Sequence, residues 1–256
     1  MGLFENFDTQ KKANKNLVII SYSATTFPQT IIQALQRSTK QPPQSFHIGY
    51  TFATGDNDDL INIYTLQTPS ETALALVGKP DLCVYVFDYN DDPHTWIDSI
   101  SKTPCTEGPV LILVVNQSKV NVLIEQDVHE AIQLALRTVC LKEGYSLLYT
   151  SDIKLIRKVV TAKLSGSSLG SIAMSDYRDM FLDAGTDSWP KIAALAEGVT
   201  PEELEETAAE WRSPTGPVLT RFKEHVAPRS HKEDAAKTKK QTISSLPTYS
   251  EFINSL

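Results

Sequence analysis

Residues 17–28 read Leu17-Val18-Ile19-Ile20-Ser21-Tyr22-Ser23-Ala24-Thr25-Thr26-Phe27-Pro28. The apolar, β-branched run 17–21 has strand length, and the apolar-periodic stretch Pro28–Arg37 that follows opens on Thr26 near a cap position with Pro in the first turn. The reading is strand, loop, helix. Working outward, Phe46–Phe52 and Leu60–Leu66 are strand-like runs joined by the turn-rich Gly55-Asp56-Asn57-Asp58-Asp59, which predicts an antiparallel hairpin. Beyond them come a short helix (Ser70–Val77), a buried strand (Leu82–Phe87), a helix (Asp92–Lys102), another buried strand (Val110–Val115) and a long amphipathic helix (Asn121–Leu141). A strand at Ser146–Tyr149 and a helix at Ser151–Leu164 close the series, the helix with Ile153, Leu155, Ile156, Val159 and Val160 on its inner side.

The order β-α-β-β-α-β-α-β-α-β-α predicts a three-layer α/β fold, with a mostly parallel six-stranded sheet, one antiparallel strand and helices on both faces. This order resembles that of the small Ras-like GTPases among the P-loop NTPases, so each motif of their nucleotide site can be sought in turn. A phosphate loop needs glycines for close backbone approach, a Lys for the phosphates and a Ser/Thr hydroxyl for Mg²⁺. Here there is no glycine between Gly2 and Gly49 and no lysine between Lys15 and Lys40. The Lys and Ser/Thr positions fall on Phe27 and Pro28, after Ser21. A phenyl ring neutralises no phosphate charge, and Pro28 brings neither an N–H nor a hydroxyl. The D-x-x-G motif reads Leu66-Gln67-Thr68-Pro69. The guanine-reading N-K-x-D motif reads Asn116-Gln117-Ser118-Lys119, where Lys119 is a donor in place of an acceptor. The S-A-K motif reads Ser151-Asp152-Ile153 and lacks its Lys. The expectation is a degenerate nucleotide site, with no cofactor, no metal and no catalysis.

Composition narrows the rest. With 256 residues, 41% hydrophobic and 21% charged, the chain can bury a substantial core, and length allows one domain with an appendage. Its longest purely apolar runs, 82–87 and 110–115, fall far short of the roughly 20 residues of a membrane span. The N-terminus lacks the pattern of a secretory signal, and Cys83, Cys105 and Cys140 make no disulfide framework, so a reducing intracellular setting is expected. His47, His94, His129, His225 and His231 show no metal-binding spacing, and Asp88, Asp91 and Asp92 read as turn and cap residues. The formal charge is −7, but residues 212–240 carry eight Lys/Arg against three Asp/Glu, a local +5. Without interleaved aromatics this reads as a solvated tail and not a nucleic-acid site.

The second half carries a further resemblance. LALRTVCLKEGYSLLYTSDIKLIRKVVTAKL (134–164), followed by MFLDAGTDSWPKI (180–192), resembles the light intermediate chains of cytoplasmic dynein, and more closely that of dynein 2, the retrograde motor of intraflagellar transport. The family's Phe-x-x-Ala-Gly-x-Asp-Ser segment is matched by Phe181, Ala184, Gly185, Asp187 and Ser188, and Tyr50-Thr51-Phe52 after Pro42-Pro43 fits the family's first-half pattern. The chain departs from the dynein 2 type in lacking its usual phosphate loop, so nucleotide binding is not carried over. The resemblance implies a non-catalytic subunit that binds and stabilises the dynein heavy chain, with other dynein 2 subunits or cargo adaptors as further partners. It would work in the cytoplasm, the cilium or flagellum and the cytoskeleton, at basal body and axoneme. The alternatives are a GTPase-like adaptor of another ciliary or trafficking complex, or a residual GTP-binding protein.

On this reading, 1–15 is an N-terminal extension, 16–166 the GTPase-like domain, 167–211 a family-specific extension with a helix, and 212–256 a disordered, flexible tail. Phe181, Trp189 and Ile192 are expected as partner-binding anchors near Pro190, the alternative being that Trp189 packs back on the domain's own core. Thr200–Trp211 is expected to be a helix with a Thr cap and an acidic first turn. Tyr249, Phe252, Ile253 and Leu256, with Leu246, form one apolar stripe of a short terminal helix that should hold a partner.

Overall fold

A computed structural model of the chain describes residues 14–21, 27–36, 48–55, 59–67, 71–88, 94–102, 108–115, 126–170, 172–173, 180–194 and 199–212. The elements are β1 (Asn14–Ser21), α1 (Phe27–Gln36), β2 (Ile48–Thr54), β3 (Leu60–Leu66), α2 (Glu71–Val77), β4 (Leu82–Asp88), α3 (His94–Lys102), β5 (Val110–Val115), α4 (Gln126–Glu143), β6 (Ser146–Thr150), α5 (Ile153–Leu164), β7 (Ile172–Ala173), β8 (Met180–Leu182), α6 (Trp189–Ala193) and α7 (Pro201–Ala208). They form one sheet in the order β2-β3-β1-β4-β5-β6-β8-β7. β3, β1, β4, β5 and β6 are mutually parallel, and β2 lies antiparallel to β3 across a hairpin closed by Gly55 N–H donating to the Asp59 carbonyl at 2.8 Å. The six expected strands are all present. The sheet then continues into β8, antiparallel to β6, and β7, antiparallel to β8, which the sequence analysis did not anticipate.

Alternation along the strands builds two cores. On β1, Leu17 and Ile19 join Ile31, Leu35, Ile156, Val159 and Val160 beneath α1 and α5, while Val18 and Ile20 join Trp96, Ile97, Leu136 and Val139 beneath α3 and α4. A strand covered on both faces must be apolar at every position. β4 and β5 are accordingly buried from end to end. Each buried aliphatic side chain contributes about 1.5–3 kcal/mol, so these central strands are where the domain is held. One expected core position moves outward: Ile153, in the first turn of α5, is 46% exposed, and the buried residues of that helix are Ile156, Val159, Val160 and Leu164.

Helix ends follow their caps. Asp152 accepts from Lys154 N–H at 2.8 Å to start α5. At α7, Thr200 and Glu203 form a reciprocal capping box: the Thr200 hydroxyl accepts from Glu203 N–H at 3.2 Å and Glu203 Oε2 accepts from Thr200 N–H at 3.1 Å. No helix among the described residues is long and apolar enough to cross a membrane, and no group of three or more metal-ligating side chains occurs among them.

Candidate functional site

Parallel α/β sheets bind ligands beyond the carboxyl ends of their strands. At that edge β1 ends on Ser21, which is 1% exposed and pairs in register with Val86 of β4. α1 begins directly on Phe27 and Pro28, so the backbone places both at the helix start where a phosphate loop would present its Lys and hydroxyl. The side chains described at the neighbouring strand ends include two carboxylates. Asp88 closes β4 at 7% exposure, and Asp152 follows β6, capping α5. Exposed Ile153 stands where the S-A-K motif would place its Lys. Asn116 and Lys119 follow β5 in sequence and lie outside the described residues.

The segment after the sheet is more fully built. Phe181, in β8, is 0% exposed and packs in the core beneath α1 and α5. Asp183, also buried, is the polar centre of this region. Its carboxylate receives Lys163 Nζ from α5, Ser146 Oγ from β6 at 3.2 Å, Ser168 Oγ at 3.0 Å and the Ala184 N–H at 2.8 Å. Burial alone would raise its pKa, but the donors, Lys163 first, outweigh it and hold the carboxyl below the usual range. Gly185 sits at φ +74°, in the left-handed region that favours glycine, inside a turn closed by Thr186 N–H and Oγ1 donating to the Asp183 carbonyl at 3.1 and 2.6 Å.

Asp187 then turns back to the domain. Arg137 of α4 donates to both its carboxylate oxygens, Nε to Oδ2 at 2.7 Å and Nη2 to Oδ1 at 2.8 Å, and Ser188 N–H donates to Oδ1 at 2.9 Å. The two side chains of the pair are 11% and 8% exposed. Together burial and nearby Asp187 push the Cys140 thiol well above its ordinary range. The motif residues Gly185, Asp187 and Ser188 thus form a turn and a clamp, fastening the chain after β8 onto α4 and leading into α6.

Two expected anchors are corrected by this packing. Ile192 is 0% exposed, buried with Ala193 and Leu204 in a satellite core against Leu134 and Leu141 of α4, and Phe181 is equally inaccessible. Neither can touch a partner without unfolding its surroundings. Trp189 is half-buried and packs on that same satellite core. Tyr249, Phe252, Ile253 and Leu256 lie outside the described residues.

The residues that sequence reasoning missed are the clamp partners. Trp211 is 2% exposed in the core beneath α3 and α4, and its Nε1 donates to Glu143 Oε1 at 2.6 Å. Arg212 binds the other oxygen of Glu143 at 2.9 Å and lies 4.7 Å above the Trp211 ring. Glu143 ends α4 just before β6 begins at Ser146. Trp211 is therefore pinned at the amino-terminal edge of the parallel strands, the edge opposite Ser21.

Fold and site together define a three-layer α/β domain of the P-loop NTPase type whose phosphate-loop position lacks the residues that bind phosphate. No family model and no curated protein matches the sequence. Among solved structures, the chain is similar to the crystal structure of the dynein light intermediate chain's conserved domain, with a TM-score of 0.62 and 18% identity, over 85% of this chain and 99% of that one. At that identity the likeness is one of fold.

Proposed function

We propose that this chain is a light intermediate chain of a cytoplasmic dynein, a non-catalytic subunit that binds and stabilises the heavy chain. The observation that carries the reading is the fold likeness extending over 99% of the dynein domain, beyond the sheet that many nucleotide-binding proteins share. The Phe181-to-Ser188 motif supports it, since its residues build the clamp that completes the domain. The motor is assigned to dynein 2, working in retrograde intraflagellar transport and cilium assembly, from the sequence resemblance of residues 134–192. The protein would then act in the cytoplasm and on the ciliary cytoskeleton as a pseudo-GTPase whose working part is its surface.

Affinity purification of the tagged full chain from ciliated cells, followed by mass spectrometry, tests this reading. Recovery of a dynein 2 heavy chain is the expected result. A dynein 1 heavy chain instead would move the protein to the other motor, and recovery of a ciliary or trafficking complex without any dynein heavy chain would overturn the assignment.

A further inference from the structure

β2 is the outermost strand at one end of the sheet, paired with β3 on one side and with no strand on the other among the described residues. On one face of it Ile48, Tyr50 and Phe52 are 55%, 62% and 59% exposed. The opposite face is covered: Ala53 is buried in the core beneath α1, and Gln36 of α1 donates to Thr51 Oγ1 at 3.1 Å and to the Phe52 carbonyl at 2.8 Å. The exposed stripe is held in place. Tyr50 packs against Tyr64 with ring centroids 5.2 Å apart, and its hydroxyl donates to Asn62 Oδ1 at 3.1 Å.

Sheet edges are ordinarily guarded by charges, prolines or bulges that stop other strands from adding to them. β2, Ile48-Gly49-Tyr50-Thr51-Phe52-Ala53-Thr54, has no charged residue and no proline, and it pairs with β3 residue for residue along its whole length. Three large apolar side chains at alternate positions beside a backbone edge that no described strand covers suit a second strand of the same character.

We propose that this strand is supplied by a second copy of the chain, with β2 antiparallel to β2 about a two-fold axis at Tyr50, joining two sheets edge to edge. The argument is the symmetry of the stripe. Antiparallel pairing about Tyr50 places Ile48 against the partner's Phe52, Tyr50 against the partner's Tyr50 and Phe52 against the partner's Ile48, so each apolar side chain meets another on one face. Gly49 and Thr51 meet on the other. Because β2 is uncharged, the paired strands themselves bring no like charges together despite the formal charge of −7 on each copy. Gln36 takes one lone pair of the Phe52 carbonyl and leaves the second for a ladder bond. At roughly 150–250 Å² for a whole aromatic side chain, the exposed fractions of Tyr50 and Phe52 offer at most about 250 Å² of surface per copy, to which Ile48 adds less. A stable interface buries about 800 Å² per partner, so this dimer is reversible and belongs to the weak class. The inference is independent of the dynein assignment.

Sedimentation velocity of the full chain from about 1 to 200 μM provides the test, with Tyr50→Lys and Tyr50→Glu as variants and thermal melting as the check that each folds. The wild type is expected to shift from monomer to dimer over that range. Each variant alone places like charges on the two-fold and should weaken association at least ten-fold, whereas an equimolar mixture pairs Lys with Glu and should recover it. A wild type that stays monomeric at 200 μM, a dimer indifferent to both variants, or a mixture of folded variants that remains monomeric would each overturn the proposal.

Discussion

Arg137 and Asp187, fifty residues apart in sequence, meet as a two-pronged ion pair at 2.7 and 2.8 Å that fastens the chain after the sheet onto α4. With the two side chains 11% and 8% exposed, removing one partner strands a nearly buried charge, which costs about 3–5 kcal/mol. Asp187→Ala and Arg137→Ala should each lower stability by about that amount in urea unfolding. The double variant should lose clearly less than the sum of the two, because no lone charge remains.

Asp183 and Glu143 make stability depend on acid. Both have carboxyls held below their ordinary pKa, Asp183 by Lys163, Ser168 and Ala184 N–H, Glu143 by Arg212 and Trp211, in each case against a burial effect that acts the other way. A group whose folded pKa is depressed contributes stability that is fully present above its unfolded value, about 4 for these carboxyls, and is lost as pH falls through the folded value. Urea midpoints should therefore hold steady from pH 7 to about 5 and fall below about pH 4. Asp183→Asn should be less stable at pH 7 and show a shallower fall; an unchanged slope would remove Asp183 from this account.

The fold was largely legible because its signals are local. β5 stands where its apolar run predicts and β4 extends its run only by Asp88, since a strand buried on both faces needs an unbroken apolar run, while β3 keeps its predicted bounds with burial at alternate positions. The Thr200 cap was equally plain, as Thr, Pro and Glu fall within four residues. β8 was not, because three residues carry no periodicity and its strand character comes from pairing with β6. The expectation of a degenerate nucleotide site rests on the residues between Ser21 and Pro28, most of which lie outside the described residues, whereas the clamps were hidden. Asp187 was visible as part of a motif, but nothing local joins it to Arg137, nor Trp211 to Glu143 across 68 residues. Ile192 was misread because an apolar residue after the last strand serves equally as an exterior anchor or as the core of a satellite, and α7 decides for the latter.

Trp211 should be far more costly to lose than its position near the end of the described chain suggests. It is 2% exposed and donates to Glu143, so Trp211→Ala should cost about 3–5 kcal/mol. For a domain of this size that lowers Tm by roughly 10 °C, readable by differential scanning fluorimetry. A loss below about 2 °C would mean that Trp211 does not fill the core.

Guanine nucleotides should not bind. The loop between Ser21 and Phe27 has neither glycine nor lysine, so equilibrium titration with labelled GTP or GDP should give no magnesium-dependent binding in the micromolar range. Micromolar affinity that disappears with EDTA would restore an active site and remove the pseudo-GTPase reading.

Deleting residues 246–256 should weaken capture of a partner while leaving the melting temperature of the domain unchanged, because the apolar stripe Leu246, Tyr249, Phe252, Ile253 and Leu256 is separated from Trp211 by more than thirty residues. Pull-downs that are identical with and without those residues would end that role.

The bond from Trp211 to Glu143 also sets a separation. It holds Trp211 at the end of the sheet where the strands begin, while Ser21 and the start of α1 lie where they finish, about 17 Å away along five residues of β6. A partner bound beside Trp211 and one bound beyond Ser21 would therefore stand at opposite poles of the domain and need not compete for space.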